Sequence, residues 1–166
     1  HWGLSGKLGV TGHSKGSSRA AVAALVNETD CEANLGPHAK QSSRFQAALM
    51  SAGQHDKAHL IEDGFLDQIG RRKREALLAS RGKNPKEDDE GKSAIDYVSK
   101  GDPPVFLSTG GRDKPFRVAQ MKRLAAKCKE VGILHKFVLD PNLDHAYNPK
   151  PAVIREIFAY FDKQLK

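Results

Sequence analysis

The pentapeptide Gly12-His13-Ser14-Lys15-Gly16 limits how this chain can fold more than any other stretch. It lies between a short apolar run, Leu8-Gly9-Val10, and a helix-like stretch from Ser17 to Val26. The local order is therefore strand, tight turn, helix, with a serine at the apex. A hydroxyl there is pushed out of the backbone into solvent, and the N–H of the next residue, Lys15, sits at a helix N-terminus. An oxyanion formed at that point finds aligned donors and the positive end of the helix dipole. Gly12 and Gly16 suit a strand and helix brought so close that side chains at those positions would clash.

A G-x-S-x-G pattern alone recurs by chance, so the rest of the chain has to supply the partners. An activated serine needs a base, and the base needs a carboxylate to hold its tautomer and stabilise the imidazolium. In the strand-turn-helix version of this chemistry the chain order is serine, acid, histidine. Val105-Phe106-Leu107-Ser108-Thr109 reads as a buried strand and runs into Gly110-Gly111-Arg112-Asp113. His135-Lys136-Phe137-Val138-Leu139 reads as another strand, followed by Asp140-Pro141-Asn142-Leu143-Asp144-His145. Each candidate lies in a loop after the C-terminal end of a strand, the edge where ligands bind in open α/β sheets. Asp113 competes with Asp140 and Asp144 for the acid role. Asp144 is the poorer candidate, because adjacent side chains diverge. His13 abuts Ser14, but the residue before an elbow serine is expected to aim its side chain elsewhere and pack.

With these pieces in order, the chain from about Lys7 to Lys166 resembles the C-terminal half of an α/β-hydrolase of the esterase/lipase type. It is most similar to small bacterial carboxylesterases, which include acetyl and feruloyl esterases and dienelactone-hydrolase-like enzymes. The matching segments are Gly12 to Gly16, Pro103 to Asp113, and Asp144-His145-Ala146-Tyr147. The resemblance implies a mostly parallel sheet with helices on both faces. It implies Ser14 as nucleophile, Asp113 as acid and His145 as general base, with the Lys15 N–H as first oxyanion donor. A small-molecule ester is the implied substrate, and no cofactor is expected.

Two departures stand out. The residue before the histidine, often glycine in the family, is Asp144 here. The family also places several strands before the elbow, whereas the elbow strand is the first strand of this chain, and no His-Gly-Gly loop occurs in it. The expectation is a partial domain over 1–166 whose N-terminal strands and second oxyanion donor lie outside the chain, so that it is nearly inert alone. Two other functions fit the same residues: a serine peptidase domain of the prolyl-oligopeptidase kind, and a truncated, non-catalytic hydrolase-like binding module.

Composition narrows the partners. The net charge is +7, and its one dense cluster, Arg71-Arg72-Lys73-Arg74, lacks interleaved aromatics and is followed by Glu87-Asp88-Asp89-Glu90. That reads as a solvated helix face or a lid segment, and nucleic acid is not an expected partner. No run approaches the ~18 apolar residues of a membrane span. Two cysteines do not make a disulfide framework; Cys128 shares an apolar helix face with Met121, Leu124 and Ala125 and reads as a buried thiol, while Cys31 lies in a polar loop. His1, His38, His55, His59 and His135 form no spaced ligand set, so no metal site is expected. Neither compartment nor oligomeric state is written in these residues.

The remaining organisation follows from periodicity. Lys7 to Thr11 and Phe45 to Ser51 are expected strands, and Asn27 to Ser43 a loop. Residues 54–100 form the least regular part, expected to be a cap or irregular insertion in which Phe65, Leu66 and Ile69 pack or line an apolar wall. Helices are expected over Phe116 to Val131, stopped by Gly132, and over Ala152 to Leu165 after Pro151. Alternating strands and helices argue for a parallel sheet.

Overall fold

A computed structural model describes residues 6–26, 42–81, 93–146 and 149–166. Among these, four strands form one parallel sheet: β1 (Gly9–His13), β2 (Ala47–Ser51), β3 (Val105–Gly110) and β4 (His135–Asp140), lying side by side in chain order. The helices are α1 (Lys15–Leu25), α2 (Arg71–Arg81), α3 (Pro115–Val131) and α4 (Pro151–Leu165). Parallel neighbours require a crossover between them, and α1 and α3 supply two of the three. The third, from β2 to β3, carries α2 and two short 3-10 turns, Phe65–Gln68 and Ala94–Tyr97.

The alternation of side chains along each strand divides the core into two layers. On one face Val10, Ala48, Met50, Val105 and Leu107 meet Ala21, Ala24 and Leu25 of α1 and Met121, Leu124, Ala125 and Cys128 of α3. Alanines in α1 let it lie close to the sheet. On the other face, Phe106 meets Tyr160 of α4 edge-on at 5.4 Å, and Gly9 leaves room for the Phe161 ring. Helices thus cover both faces, as expected. β3 is buried along its whole length, and its apolar run Val105-Phe106-Leu107 suits a central strand covered on both faces. β1 lies at the edge and alternates exposed with half-buried residues.

Local signals set the helix ends. Pro115 and Pro151 open α3 and α4, where a missing N–H costs nothing. Gly132 closes α3 in the left-handed region, φ 85°, and its N–H reaches the Cys128 and Lys129 carbonyls. Cys128 is fully buried, and burial pushes its thiol up to about 11, so it is a packing group rather than a nucleophile.

Some expectations shift. β1 begins at Gly9 rather than Lys7 and runs on to His13, because its register with β2 pairs His13 with Ser51. Phe65, half-buried, packs edge-on against Phe116 at 5.1 Å, and Leu66 is buried, so both pack against the domain. The expected loop over Asn27 to Ser43 falls mostly, and Cys31 wholly, outside the described residues. No described helix is long and apolar enough to cross a membrane.

Candidate active site

The C-terminal ends of β1, β3 and β4 converge on one point of the sheet edge. β1 ends at His13 and α1 begins at Lys15, so Ser14 alone makes the turn. Its backbone has φ 55° and ψ −121°, a combination that L-residues adopt only under constraint, at a cost on the order of 1–3 kcal/mol. The constraint is visible. The Ser14 N–H donates to the Ser51 carbonyl at 2.8 Å, and the Ser14 carbonyl accepts from the Ser17 N–H at 3.0 Å. Gly12 makes the turn possible, since a Cβ there would run into the Gly16 carbonyl. Gly16 differs from the expectation: a Cβ built on it meets nothing among the described residues. The close approach is made by Gly16's backbone, not by its missing side chain.

Two loops bring the acid and the histidine to Ser14. The loop after β3 and the loop after β4 are stitched together by Gly111 N–H to Asp140 O (2.7 Å) and Arg112 N–H to Leu143 O (2.8 Å). Gly110 permits the contact, because a Cβ there would overlap the Leu143 carbonyl. The result is a continuous relay. His145 Nδ1–H donates to Asp113 Oδ2 at 2.8 Å, and Ser14 Oγ–H donates to His145 Nε2 at 2.9 Å. A carboxylate only accepts, so Asp113 fixes the tautomer that leaves Nε2 free to receive the serine proton.

The Asp113 side chain is fully buried, and its other oxygen, Oδ1, accepts from the Lys114 N–H at 2.6 Å and from Arg117 Nη1 at 3.1 Å. A buried carboxylate that accepts from three donors is held in one orientation. The other acids do not compete. Asp140 accepts from the Asn142 N–H and pairs with Lys150, and Asp144 accepts from the Ala146 N–H. Lys15 opens α1, and its backbone N–H is among those that a helix start leaves without an intrahelical partner.

His13 does not aim away from the site. Its ring lies 5.1 Å from the His145 ring, tilted by 35°, and its Nδ1 is 3.2 Å from Ser51 Oγ. Partial desolvation, and then the neighbouring His145, lower its pKa, which favours the neutral ring.

Behind the elbow sits a second polar layer, built on Gln120, which no sequence motif marks, and on His55. Gln120 is fully buried on the apolar face of α3 and uses its whole carboxamide. Oε1 accepts from the His55 and Asp56 N–H groups at 2.9 and 2.7 Å, and Nε2 donates to the Asp56 carbonyl and to Asp63 Oδ2 at 2.9 and 2.6 Å. It ties the segment after β2 to the helix that follows the acid. Its one signal in the sequence was a polar residue two turns after Asp113 among apolar neighbours. His55 is buried against Ser17 of α1, with Nε2 3.2 Å from Ser17 Oγ.

Burial pushes His55 down to about 4. Between about 4 and 6.5 the unfolded chain therefore binds a proton that the folded chain refuses. Stability is expected to fall as pH drops through that window, by roughly 3 kcal/mol for the full step. Urea midpoints measured from pH 7 to pH 4 check this. His55→Gln should flatten the slope, and parallel curves for the two proteins would refute the assignment.

A family model, BD-FAE, matches residues 4–128. No protein in the curated set matches the chain. Among solved structures, a truncated form of a carbohydrate esterase from gut microbiota superimposes with a TM-score of 0.71 at 22% identity, covering 96% of this chain and 60% of that one. An esterase of the Planctomycetes species Thermogutta terrifontis gives 0.65 at 19%, covering 93% and 55%. The acylaminoacyl peptidase of Pyrococcus horikoshii gives 0.65 at 17%, covering 96% and 24%. This chain therefore spans less than two thirds of each of these proteins. At such identities the likeness speaks to the fold, and that fold is the α/β-hydrolase one.

Proposed function

The chain belongs to the BD-FAE family, and on that footing we propose that it is the nucleophile-bearing part of a carboxylic ester hydrolase. The observation that carries the reading is the Ser14–His145–Asp113 relay, with links of 2.9 and 2.8 Å at the C-terminal edge of a parallel sheet. In this reading His145 Nε2 takes the Ser14 proton as Oγ attacks the ester carbonyl. The tetrahedral oxyanion rests on the Lys15 N–H and on a second donor in the share of its relatives' length that this chain does not span. Collapse expels the alcohol, protonated by His145, and leaves an acyl-serine. Water, deprotonated by His145, then releases the acid and restores Ser14. Asp113 keeps the imidazole oriented and stabilises its charged form. A peptidase reading has only the fold behind it, and this fold hosts many chemistries.

Labelling with a fluorophosphonate probe tests the reading, on the 166-residue chain and on the longest reading frame that encodes it. Labelling of the longer protein that vanishes in Ser14→Ala is the expected result. A folded, full-length protein that does not label would overturn it. With that second donor supplied only by the longer protein in this reading, the 166-residue chain should turn over esters ~10²–10³ more slowly than the longer protein.

A further inference from the structure

Beside Ser14 lies a cavity of about 190 Å³ lined by Ser14, Lys15, Ser18, Ala52, Gln54 and Arg117. Its charge is one-sided. Two of its lining residues, Lys15 and Arg117, are basic and none of the described lining residues is acidic; Asp113, buried, pairs with Arg117 but does not line the cavity. Arg117 is an unusual lining for a site that handles a neutral ester. Its side chain is 19% exposed, and its guanidinium carbon lies 4.9 Å from the centre of the Phe116 ring. Among the described residues only Nη1 has an acceptor, the Asp113 Oδ1. The guanidinium is thus anchored by one ion pair and by the Phe116 ring, with its other N–H groups left over among the described residues. A carboxylate is the ligand that a rigid guanidinium fork fits best, and pre-organisation lowers the entropy cost of binding it.

We infer that this cavity is an anion subsite, and that the ester taken by Ser14 carries a carboxylate held by Arg117 with Lys15. The inference rests on the hydrolase reading above and narrows its substrate class to esters with a free acid group in the acyl or the alcohol half. The cavity's size suits a group of a few heavy atoms rather than a long acyl chain.

Two matched pairs of esters test it and separate the two halves. Monoethyl succinate against ethyl succinamate places the charge on the acyl side, and 4-acetoxybenzoate against 4-acetoxybenzamide places it on the alcohol side. In the longest reading frame, one acid should be preferred over its amide in kcat/KM. Arg117→Gln should reduce that preference about 10- to 100-fold, chiefly through KM, and Arg117→Lys should restore part of it. The ratio is the readout because Arg117 also touches Asp113, and damage passed through Asp113 lowers both members of a pair together. An unchanged ratio in both pairs, or a wild-type preference for the amides, overturns the subsite. If the protein labels with fluorophosphonate but shows no acid preference, only the subsite fails. If it neither labels nor hydrolyses, the hydrolase reading fails, and NMR titration with succinate still decides the subsite. Shifts of the Lys15 and Gln54 amides that disappear in Arg117→Gln support it, and their absence in the wild type refutes it.

Discussion

Ser14→Ala is expected to cut ester turnover by at least ~10⁴-fold and to leave the unfolding midpoint nearly unchanged. The two halves of that result have separate causes. Ser14 contributes one side-chain hydrogen bond, to His145, and it lies at a half-exposed apex, so removing its hydroxyl leaves no buried donor or acceptor stranded. Its strained backbone is held by main-chain bonds to Ser51 and Ser17, which alanine keeps. Stability should therefore move by less than about 0.5 kcal/mol. Chemistry, by contrast, loses the atom that in the proposed mechanism forms the acyl-enzyme, and only the donors around the oxyanion remain to act on bound ester. Turnover and urea unfolding measured on the same preparations check both halves. Loss of activity together with loss of stability would mean that Ser14 is a structural turn residue, and retained turnover would mean that another group attacks.

What the sequence revealed and what it hid divide by the range of the interactions involved. The elbow is encoded within a few residues: an apolar run, a glycine on either side of a serine, and a helix rich in alanine. So are α3 and α4, whose Pro115, Gly132 and Pro151 punctuate an apolar period. The order of Ser14, Asp113 and His145 survives in one dimension because each follows a strand, and parallel strands bring their C-terminal ends to one edge. What stayed hidden depends on pairs far apart in the chain. Gln120 earns its burial only through His55, Asp56 and Asp63, some sixty residues upstream. Gly110 matters because the backbone of Leu143 comes against it, and in the sequence it is simply a turn glycine. His13 was expected to aim away from Ser14, yet β1 runs through to His13, and pairing with Ser51 turns its ring towards His145. The cluster Arg71 to Arg74 is indeed an exposed helix face, legible because charge alone keeps such a face in water.

The two glycines of the elbow, alike in sequence, are expected to respond in opposite ways to the same substitution. In Gly12→Ala the new Cβ would occupy the space of the Gly16 carbonyl and crowd the Ser17 N–H. Neither neighbour is a flexible side chain that can swing aside. Both belong to the first turn of α1, which is fixed from behind by Ser17 against His55 and by Ala20, Ala21 and Ala24 in the core. Relief requires moving the strand or the helix, in a closely packed interior where overpacking costs typically about 1–3 kcal/mol, and backbone overlap lies at or above the top of that range. For a chain of this length about 3 kcal/mol corresponds to a fall of roughly 6–12 °C in Tm. Any movement also displaces Ser14 from His145, so labelling by a fluorophosphonate should drop even at temperatures where the variant is folded. In Gly16→Ala the Cβ meets nothing within 4 Å among the described residues, on a helix whose φ is ordinary, and alanine is the better helix former by up to about 1 kcal/mol. That variant should melt at or slightly above the wild-type temperature. Thermal unfolding of the two variants beside the wild-type chain decides the matter: equal losses would mean that a side chain at Gly16 meets an obstacle as real as the one at Gly12.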